Sequence, residues 1–388
     1  MEIRELTTGD LDAVLDSRKR AFGLIPADSV EPWRAMVTHA MAEGRYLGVV
    51  DGGRLVATAR IHDFEQWWHG RPVSMGGVAS VTVAPEDRGR GLGRLIMREV
   101  LERCAGLGHA LSALYPATTP LYRSLGWEHA GARNRVTLPA EGLRTLADRD
   151  GGVKLRRMGP GDAAELRAVL ARVHTASRAS GPMGWDEPTT RLWLDDEDDF
   201  AYLADDGYVM YRWDGDDIDV DNLVAGSEAT ARALWSLVGT SSSIATTVTA
   251  TIEPDDPVLW LLRERSTDAL RKSSWMLRVV DLPSAIGGRG YPAGVAVDTL
   301  LEVDDPQRPA NSGAWRLSVS EGRGEAAPAE VPAGEEASRL TIGGLSALFA
   351  GVRPAALRRA GLLTAGAPET DDLLGAAFAA KPYMLDYF

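Results

Sequence analysis

Residues 77–101 read Gly-Val-Ala-Ser-Val-Thr-Val-Ala-Pro-Glu-Asp-Arg-Gly-Arg-Gly-Leu-Gly-Arg-Leu-Ile-Met-Arg-Glu-Val-Leu. The β-branched run Val78 to Val83 predicts a strand, Pro85 stops its ladder, and Leu92, Leu95, Ile96 and Val100 recur at helical spacing. A strand therefore passes through a glycine-rich turn into a helix N-terminus. Successive backbone N–H groups there, backed by the helix dipole, favour an anion, and glycines let the backbone approach it closely. Arg88 and Arg90 add positive charge. The chemistry on offer is a grip on a pyrophosphate. The chain does not open with a βαβ unit and no acidic ribose reader stands about twenty residues on, so the dinucleotide motif fails. The P-loop fails for lack of a Gly-Lys-Ser/Thr ending.

The elements that must position this socket repeat along the chain. Ile3-Arg-Glu-Leu-Thr-Thr-Gly-Asp10 returns as Leu155-Arg-Arg-Met-Gly-Pro-Gly-Asp162, with the Arg, Gly and Asp at one constant offset. Each copy reads as a short strand, then a turn whose Asp caps a helix with apolar residues at helical spacing: Leu11, Val14, Leu15, and Leu166, Val169, Leu170. The duplication predicts two related domains meeting near residue 150, at the polar stretch 147–152. In the second copy, Asp219 to Ala225 and Ser227 to Trp235 stand where the socket would be, without Arg-x-x-Gly-x-Gly. One active site per chain follows. After the Gly-rich 285–292, alternating strands (Leu301, Val303; Trp315, Leu317, Val319) and helical patterns at 345–352, 355–363 and 372–380 predict a third, α+β domain. Residues 322–336, rich in Ala, Pro and Glu, read as a loop between two of its strands.

Composition narrows the partners. The 388 residues are 45% hydrophobic and 25% charged, and 42 basic against 55 acidic side chains give a net charge of -13. Such a surface repels phosphate backbones and anionic lipid, so nucleic acid and membranes are not expected partners and a cationic substrate is. One cysteine, Cys104, closes no internal disulfide. The opening residues carry acids and no apolar core, and no apolar run reaches membrane length, so a cytoplasmic location is expected. His62, His69, His109, His129 and His174 show no ligand spacing, and no metal is expected.

Val81-Thr-Val-Ala-Pro followed by Arg88-x-x-Gly91-x-Gly93 resembles the acetyl-coenzyme A pyrophosphate motif of the Gcn5-related N-acetyltransferases (GNAT). Leu121-Tyr-Arg-Ser-Leu-Gly-Trp127, Leu277 to Ala285 with Arg289-Gly-Tyr291, the aromatic Phe388 and the duplication together resemble the enhanced intracellular survival (Eis) family of aminoglycoside N-acetyltransferases. The resemblance implies an α/β (α+β) chain. Two tandem GNAT-type domains, 1–150 with the acetyl-CoA site and a degenerate 151–285, would precede a sterol-carrier-protein-like domain, 286–388. It also implies a homohexamer, and the excess of 11 Trp over 6 Phe is a composition suited to interfaces.

The family's residues carry over position by position. Tyr122 would be the general acid, and the C-terminal carboxylate of Phe388 the general base. Val81, Thr82, Val83, Arg88, Gly89, Arg90, Gly91, Leu92, Gly93, Arg94, Ala117 and Thr118 would meet the cofactor. The helix-loop-helix of Phe22 to Trp33 would line the amine pocket, with Leu24, Asp28, Trp33 and Asp386 toward the substrate. Two departures bear on an aminoglycoside acceptor: Leu24 stands at the family's acidic pocket position, and Tyr387 at the acid before the terminal Phe, with Asp386 one step earlier. Another natural-product amine or a protein lysine is the competing acceptor, and a lipid-binding scaffold is the rival of another class. Trp67-Trp68-His69 and Trp185 are expected to serve domain packing more than an aromatic wall.

Overall fold

The computed structural model describes residues 1–147, 152–263 and 270–388. The repeated opening folds the same way twice: strand Glu2–Glu5, turn Thr8–Asp10 and helix Leu11–Phe22 correspond to Arg156–Arg157, Pro160–Asp162 and Ala163–Ala176. In both copies the Asp reaches back, which corrects the expectation of a helix cap. Asp10 accepts from the Thr7 amide at 2.8 Å and pairs with Arg4 at 2.7 Å; Asp162 accepts from the Gly159 amide at 2.8 Å and pairs with Arg156 at 2.9 Å. The charge-assisted bond to the repeated arginine outweighs a helix amide. That bond also holds the Asp10 carboxyl down at about 2.

Among the described residues the main sheet is 13-stranded. Its order is Glu2–Glu5, Tyr46–Asp51, Arg54–Trp68, Arg71–Val83, Leu111–Leu114, Leu270–Val279, Glu128–Pro139, Thr247–Ile252, Asp217–Ala225, Gly207–Asp214, Phe200–Ala204 and Arg156–Arg157, with Met183–Gly184 paired beside Arg54–Trp68. The halves exchange strands. Leu270–Val279 inserts antiparallel between Leu111–Leu114 and Glu128–Pro139, and Glu128–Pro139 pairs onward with Thr247–Ile252 of the second copy. The linker near residue 150 falls largely on 148–151, outside the described residues, and the sheet runs across it without a break.

A second, 5-stranded sheet orders Arg323–Pro328, Gly313–Ser320, Val297–Asp304, Ser338–Thr341 and Leu363–Thr364. The first of these corrects the loop expected at 322–336, where 323–328 is a strand and 329–336 is the connection to Ser338–Thr341. Glu321 (φ 50°) and Gly322 (φ 78°) form a two-residue turn with both φ positive, which folds the chain back onto Gly313–Ser320. Ala326 is buried there, and Pro328 is tolerated because the strand is at the edge. Helix Ile342–Phe349, buried at every residue, packs with Trp315, Leu317 and Phe378 in one core with Trp68, Met75 and Trp275 of the main sheet.

Two arginines of the expected family segment sit at this junction. Arg278 and Asp305, both fully buried, pair through bonds of 2.7 and 2.8 Å. Arg289 bonds the carbonyls of Phe349 and Phe378, and its guanidinium lies 5.0 to 5.6 Å from the ring centres of Trp68, Tyr291, Phe349 and Phe378. Trp68 packs edge-on to Phe349 at 4.9 Å and Trp67 against His174 of the second copy at 5.2 Å, so both serve the packing expected of them. No described helix is long and apolar enough to cross a membrane.

Candidate active site

Strand Arg71–Val83 builds the site by parting from its neighbour. It pairs in parallel with Leu111–Leu114 only at Met75, Gly76 and Gly77, and beyond Gly77 that edge makes no ladder bonds among the described residues. A bulge keeps it diverging: register shifts opposite Thr58 and Arg60, and Ser80 takes φ 52°, a left-handed conformation for a residue with a side chain. The bulge turns the Thr82 hydroxyl toward Thr58 and Ser17, at 2.7 Å each, while Val81 and Val83 pack on the core holding Tyr122 and Leu92. The free edge of 78–83 therefore faces a widening gap.

The turn at the end of this gap is an anion cradle. Gly89 (φ 81°) and Gly91 (φ 78°) hold conformations that side chains disfavour, and a Cβ at either would meet nothing within 4 Å. Backbone geometry, not crowding, demands these glycines. Helix Leu92–Gly106 starts at Gly91 without a side-chain cap, and its first ladder bond is Leu95 to the Gly91 carbonyl, which leaves the amides of Leu92, Gly93 and Arg94 unbonded among the described residues. Arg88 and Arg94 are exposed and unpaired among the described residues, whereas Arg90 is tied to Asp51 at 2.7 Å and to Asp87. Arg90 therefore offers backbone more than charge. Across the gap, Ala117 and Thr118 are exposed, and Thr118 starts helix Thr119–Arg123 without spending its hydroxyl on a cap. This donor set fits a pyrophosphate with an extended amide-bearing arm.

Tyr122 sits on that short helix. Its ring is 4% exposed in the core with Val78, Leu92 and Ile96, its hydroxyl bonds no described residue, and burial raises its pKa. It is thus both a packed tyrosine and an uncommitted donor.

The chain's last residues cross to the same place. Met384 bonds the Ala132 carbonyl, Arg133 bonds the Leu385 carbonyl at 2.9 Å, and the Tyr115 hydroxyl bonds the Asp386 carbonyl at 2.8 Å. Phe388 lies edge-on to Phe64 (5.2 Å), Tyr115 (5.6 Å) and His62 (5.9 Å). A Cβ at Gly77 would stand 2.4 Å from Phe64 and 3.0 Å from Phe388, so glycine is required where the strands part. Residue 388 therefore stands at the closed end of the gap.

The remaining expected residues scatter. Leu24 is 76% exposed, and Trp33 is half-buried against Leu6, Val14 and Val37. Asp28 falls in the turn Ala27–Ser29, and its side chain lies outside the described residues. Asp386 accepts from Asn222 at 3.0 Å, and burial pushes its carboxyl up to about 6. It borders a cavity of about 450 Å³ with Asp196, Asp199 and Asp221, and with Arg133, Arg135 and Arg212. A second cavity of about 100 Å³ runs from Asp386 past Trp185 and Trp193, so Trp185 is a wall as well as packing. Sequence reasoning missed Tyr115, His62 and Phe64, although the last two alternate with Arg60 along one strand and so share its face.

Among its described residues the second copy has no such socket. Helix Glu228–Gly239 is capped by Ser227, which accepts from the Thr230 amide at 3.3 Å, and the Thr230 hydroxyl is bound to Asp206. A capped start beside a carboxylate repels a phosphate.

Comparison with known proteins gives this geometry a family. Acetyltransferase (GNAT) domain models match residues 2–130 and 178–279, and a sterol carrier protein domain model matches 282–385. A crystal structure of a GCN5-related N-acetyltransferase from Kribbella flavida is 49% identical, with TM-score 0.96, and the match covers 100% of this chain and 98% of that one. N-acetyltransferase Eis of Mycobacterium tuberculosis is 28% identical over 343 residues, 83% of each chain. The chain belongs to the Eis-type GCN5-related N-acetyltransferases. Eis1 from Mycobacterium abscessus, 23% identical with TM-score 0.77 and 100% of both chains covered, shares the fold. As a GCN5-related N-acetyltransferase the protein is an acyltransferase, and acetyl-CoA is the acyl donor of enzymes with this fold.

Proposed function

We propose that the enzyme transfers the acetyl group of acetyl-CoA to a primary amine of a cationic small molecule, in the single gap between 78–83 and 114–118. The observation that carries this is the placement of two ends of one cleft: unbonded helix amides at Gly91 and residue 388 at Gly77. Residues Gly89 to Arg94 would hold the pyrophosphate, and the free strand edge would hold the pantetheine arm and, through a backbone N–H, the oxyanion. Acetyl-CoA supplies the activated acyl group. Holding both reactants in one gap supplies proximity. Tyr122, kept protonated by burial, gives a proton to the departing thiolate. The Phe388 carboxylate, a weak base with an ordinary pKa of about 3.5, takes the amine's proton through water.

Aminoglycosides are the acceptor class that the family suggests, and a net charge of -13 favours the approach of a cationic body. We also propose that the chain assembles into homohexamers. A panel of aminoglycosides, polyamines, aryl amines and lysine peptides, scored by thiol release, tests the activity. Stoichiometric lipid in the purified protein with no thiol release would favour a carrier instead, a role ill served by a third domain whose core is packed with Trp315, Phe349 and Phe378.

A further inference from the structure

The second copy lacks the anion cradle but keeps the cleft. Strand Asp217–Ala225 pairs in parallel with Thr247–Ile252 only at Ile218, Asp219 and Val220, and beyond Val220 that edge makes no ladder bonds among the described residues. A bulge follows at once: Val220 stands opposite Tyr211 and Asn222 opposite Met210, which leaves Asp221 as the extra residue. The first copy does the same, with three parallel pairs ending at Gly77 and then the bulge at Ser80. In each copy a parted pair of strands opens ahead of a helix, Leu92–Gly106 in one and Glu228–Gly239 in the other.

The chain itself fills the second gap. Tyr383 bridges in parallel to Ala132 of Glu128–Pro139. One edge of Ala132 is taken by Ser274, and the other edge of that strand carries Thr247–Ile252 only as far as Asn134. The tail therefore takes the place in the sheet that Thr247–Ile252 vacates, on the side facing Asp217–Ala225. Its side chains agree with this position: Tyr383 and Leu385 share a core with Met210 and Val224. Asn222, first past the bulge and 5% exposed, donates from Nδ2 to Oδ1 of Asp386 at 3.0 Å. Two crossings leave no room for a side chain under the tail. A Cβ at Gly131 would stand 2.4 Å from the Pro382 carbonyl oxygen, and one at Gly181 2.3 Å from that of Tyr383. Where a cofactor arm would lie in the first copy, residues 383–386 lie in the second.

We propose that the second copy's cleft is the mount of the C-terminal tail, and that Asn222, through Asp386, is a positioning residue for the Phe388 carboxylate. The inference rests on the proposed function, in that this carboxylate is taken to be the base. Asp386 is the last residue tied by hydrogen bonds before it, and each copy holds one end of that tie: Asn222 of the second its side chain, Tyr115 of the first its carbonyl at 2.8 Å. A base acting through one water must stand within hydrogen-bond reach of it, and two residues of backbone separate this anchor from the carboxylate. The degenerate copy thus serves the reaction without binding a cofactor.

Exchanging donor and acceptor tests this. Asn222→Asp sets two carboxylates against each other, and Asn222→Asp combined with Asp386→Asn restores the bond with its polarity reversed. On the best amine of the panel, at mildly alkaline pH, kcat should fall roughly ten- to a hundredfold in Asn222→Asp, as expected for a displaced reacting group, and recover in the pair. KM and calorimetric affinity for acetyl-CoA should stay unchanged in both, because the first copy's cradle is untouched. Asn222→Ala, which removes the bond without repulsion, should show the same split with a smaller loss. Release of Tyr387 and Phe388 by carboxypeptidase A, followed by mass, should be faster in Asn222→Asp and slow again in the pair. Wild-type kcat in Asn222→Asp when deletion of Phe388 lowers it, or a loss that the pair does not recover, would overturn the assignment. Unchanged turnover on deletion of Phe388, or no thiol release from any amine, would instead count against the proposed function. Tail release then judges the mount alone: faster in Asn222→Asp and slow in the pair supports it, and equal rates in wild type and Asn222→Asp overturn it.

Discussion

Replacing Gly91 by Ala separates what the glycine does for the fold from what it does for the ligand. At φ 78° an added Cβ meets nothing within 4 Å, so the folded protein suffers left-handed strain and no clash. That strain costs about 1 kcal/mol. Gly215, in the hairpin between Gly207–Asp214 and Asp217–Ala225, has φ 61° and equally open space, so Gly215→Ala should lose a similar amount of stability. The two differ in surroundings: residue 91 opens the turn whose next amides, of Leu92, Gly93 and Arg94, have no bond among the described residues. If those amides grip a pyrophosphate, displacing it from one charge-assisted bond costs about 1.5 to 3 kcal/mol. Acetyl-CoA affinity should then fall roughly ten- to a hundredfold. Denaturant titration gives the stability term and calorimetry with acetyl-CoA the binding term. Unchanged binding in Gly91→Ala, or an equal loss in Gly215→Ala, would refute the cradle.

Other outcomes follow from single contacts. Tyr122→Phe should lower kcat about a hundredfold or more, as expected for a lost general acid. Because burial raises the phenol's pKa, the wild type should show no basic limb due to Tyr122 below pH 10; such a limb, abolished in Tyr122→Phe, would contradict the assignment. The Asp386 carboxyl is raised to about 6 from an unfolded value of 3.8, so the native state binds the extra proton. That group should therefore stabilise the fold as pH falls from 7 to 4, by on the order of 2 to 3 kcal/mol, and Asp386→Asn should remove the trend in denaturant titrations. Asp305→Ala strands the buried Arg278 and should cost about 3 to 5 kcal/mol, read as an earlier unfolding of the third domain in hydrogen exchange.

What could be read from the sequence was what local pattern encodes. The socket announced itself because strand, glycine turn and helix are contiguous, and the duplication because Arg and Asp recur six residues apart and still pair in the fold. The insertion of Leu270–Val279 beside Leu111–Leu114 was illegible, since pairing across so long a separation leaves no periodic trace. So was the left-handed Ser80, which no residue type signals. The strand Arg323–Pro328 hid in a composition of Ala, Pro and Glu, and only the Glu321–Gly322 turn makes it pair. Phe388 was found through family resemblance, while Tyr115 and His62, which pack against its ring, needed the fold to bring them there.

Acetyl transfer in the gap between 78–83 and 114–118 can be measured directly. Wild-type protein should be incubated with acetyl-CoA and the amine panel, with thiol release and product mass measured together. Thiol release should depend on the amine, match acetylated product mole for mole, and fall sharply in Tyr122→Phe. Thiol release independent of any amine, or undiminished in Tyr122→Phe, would contradict it.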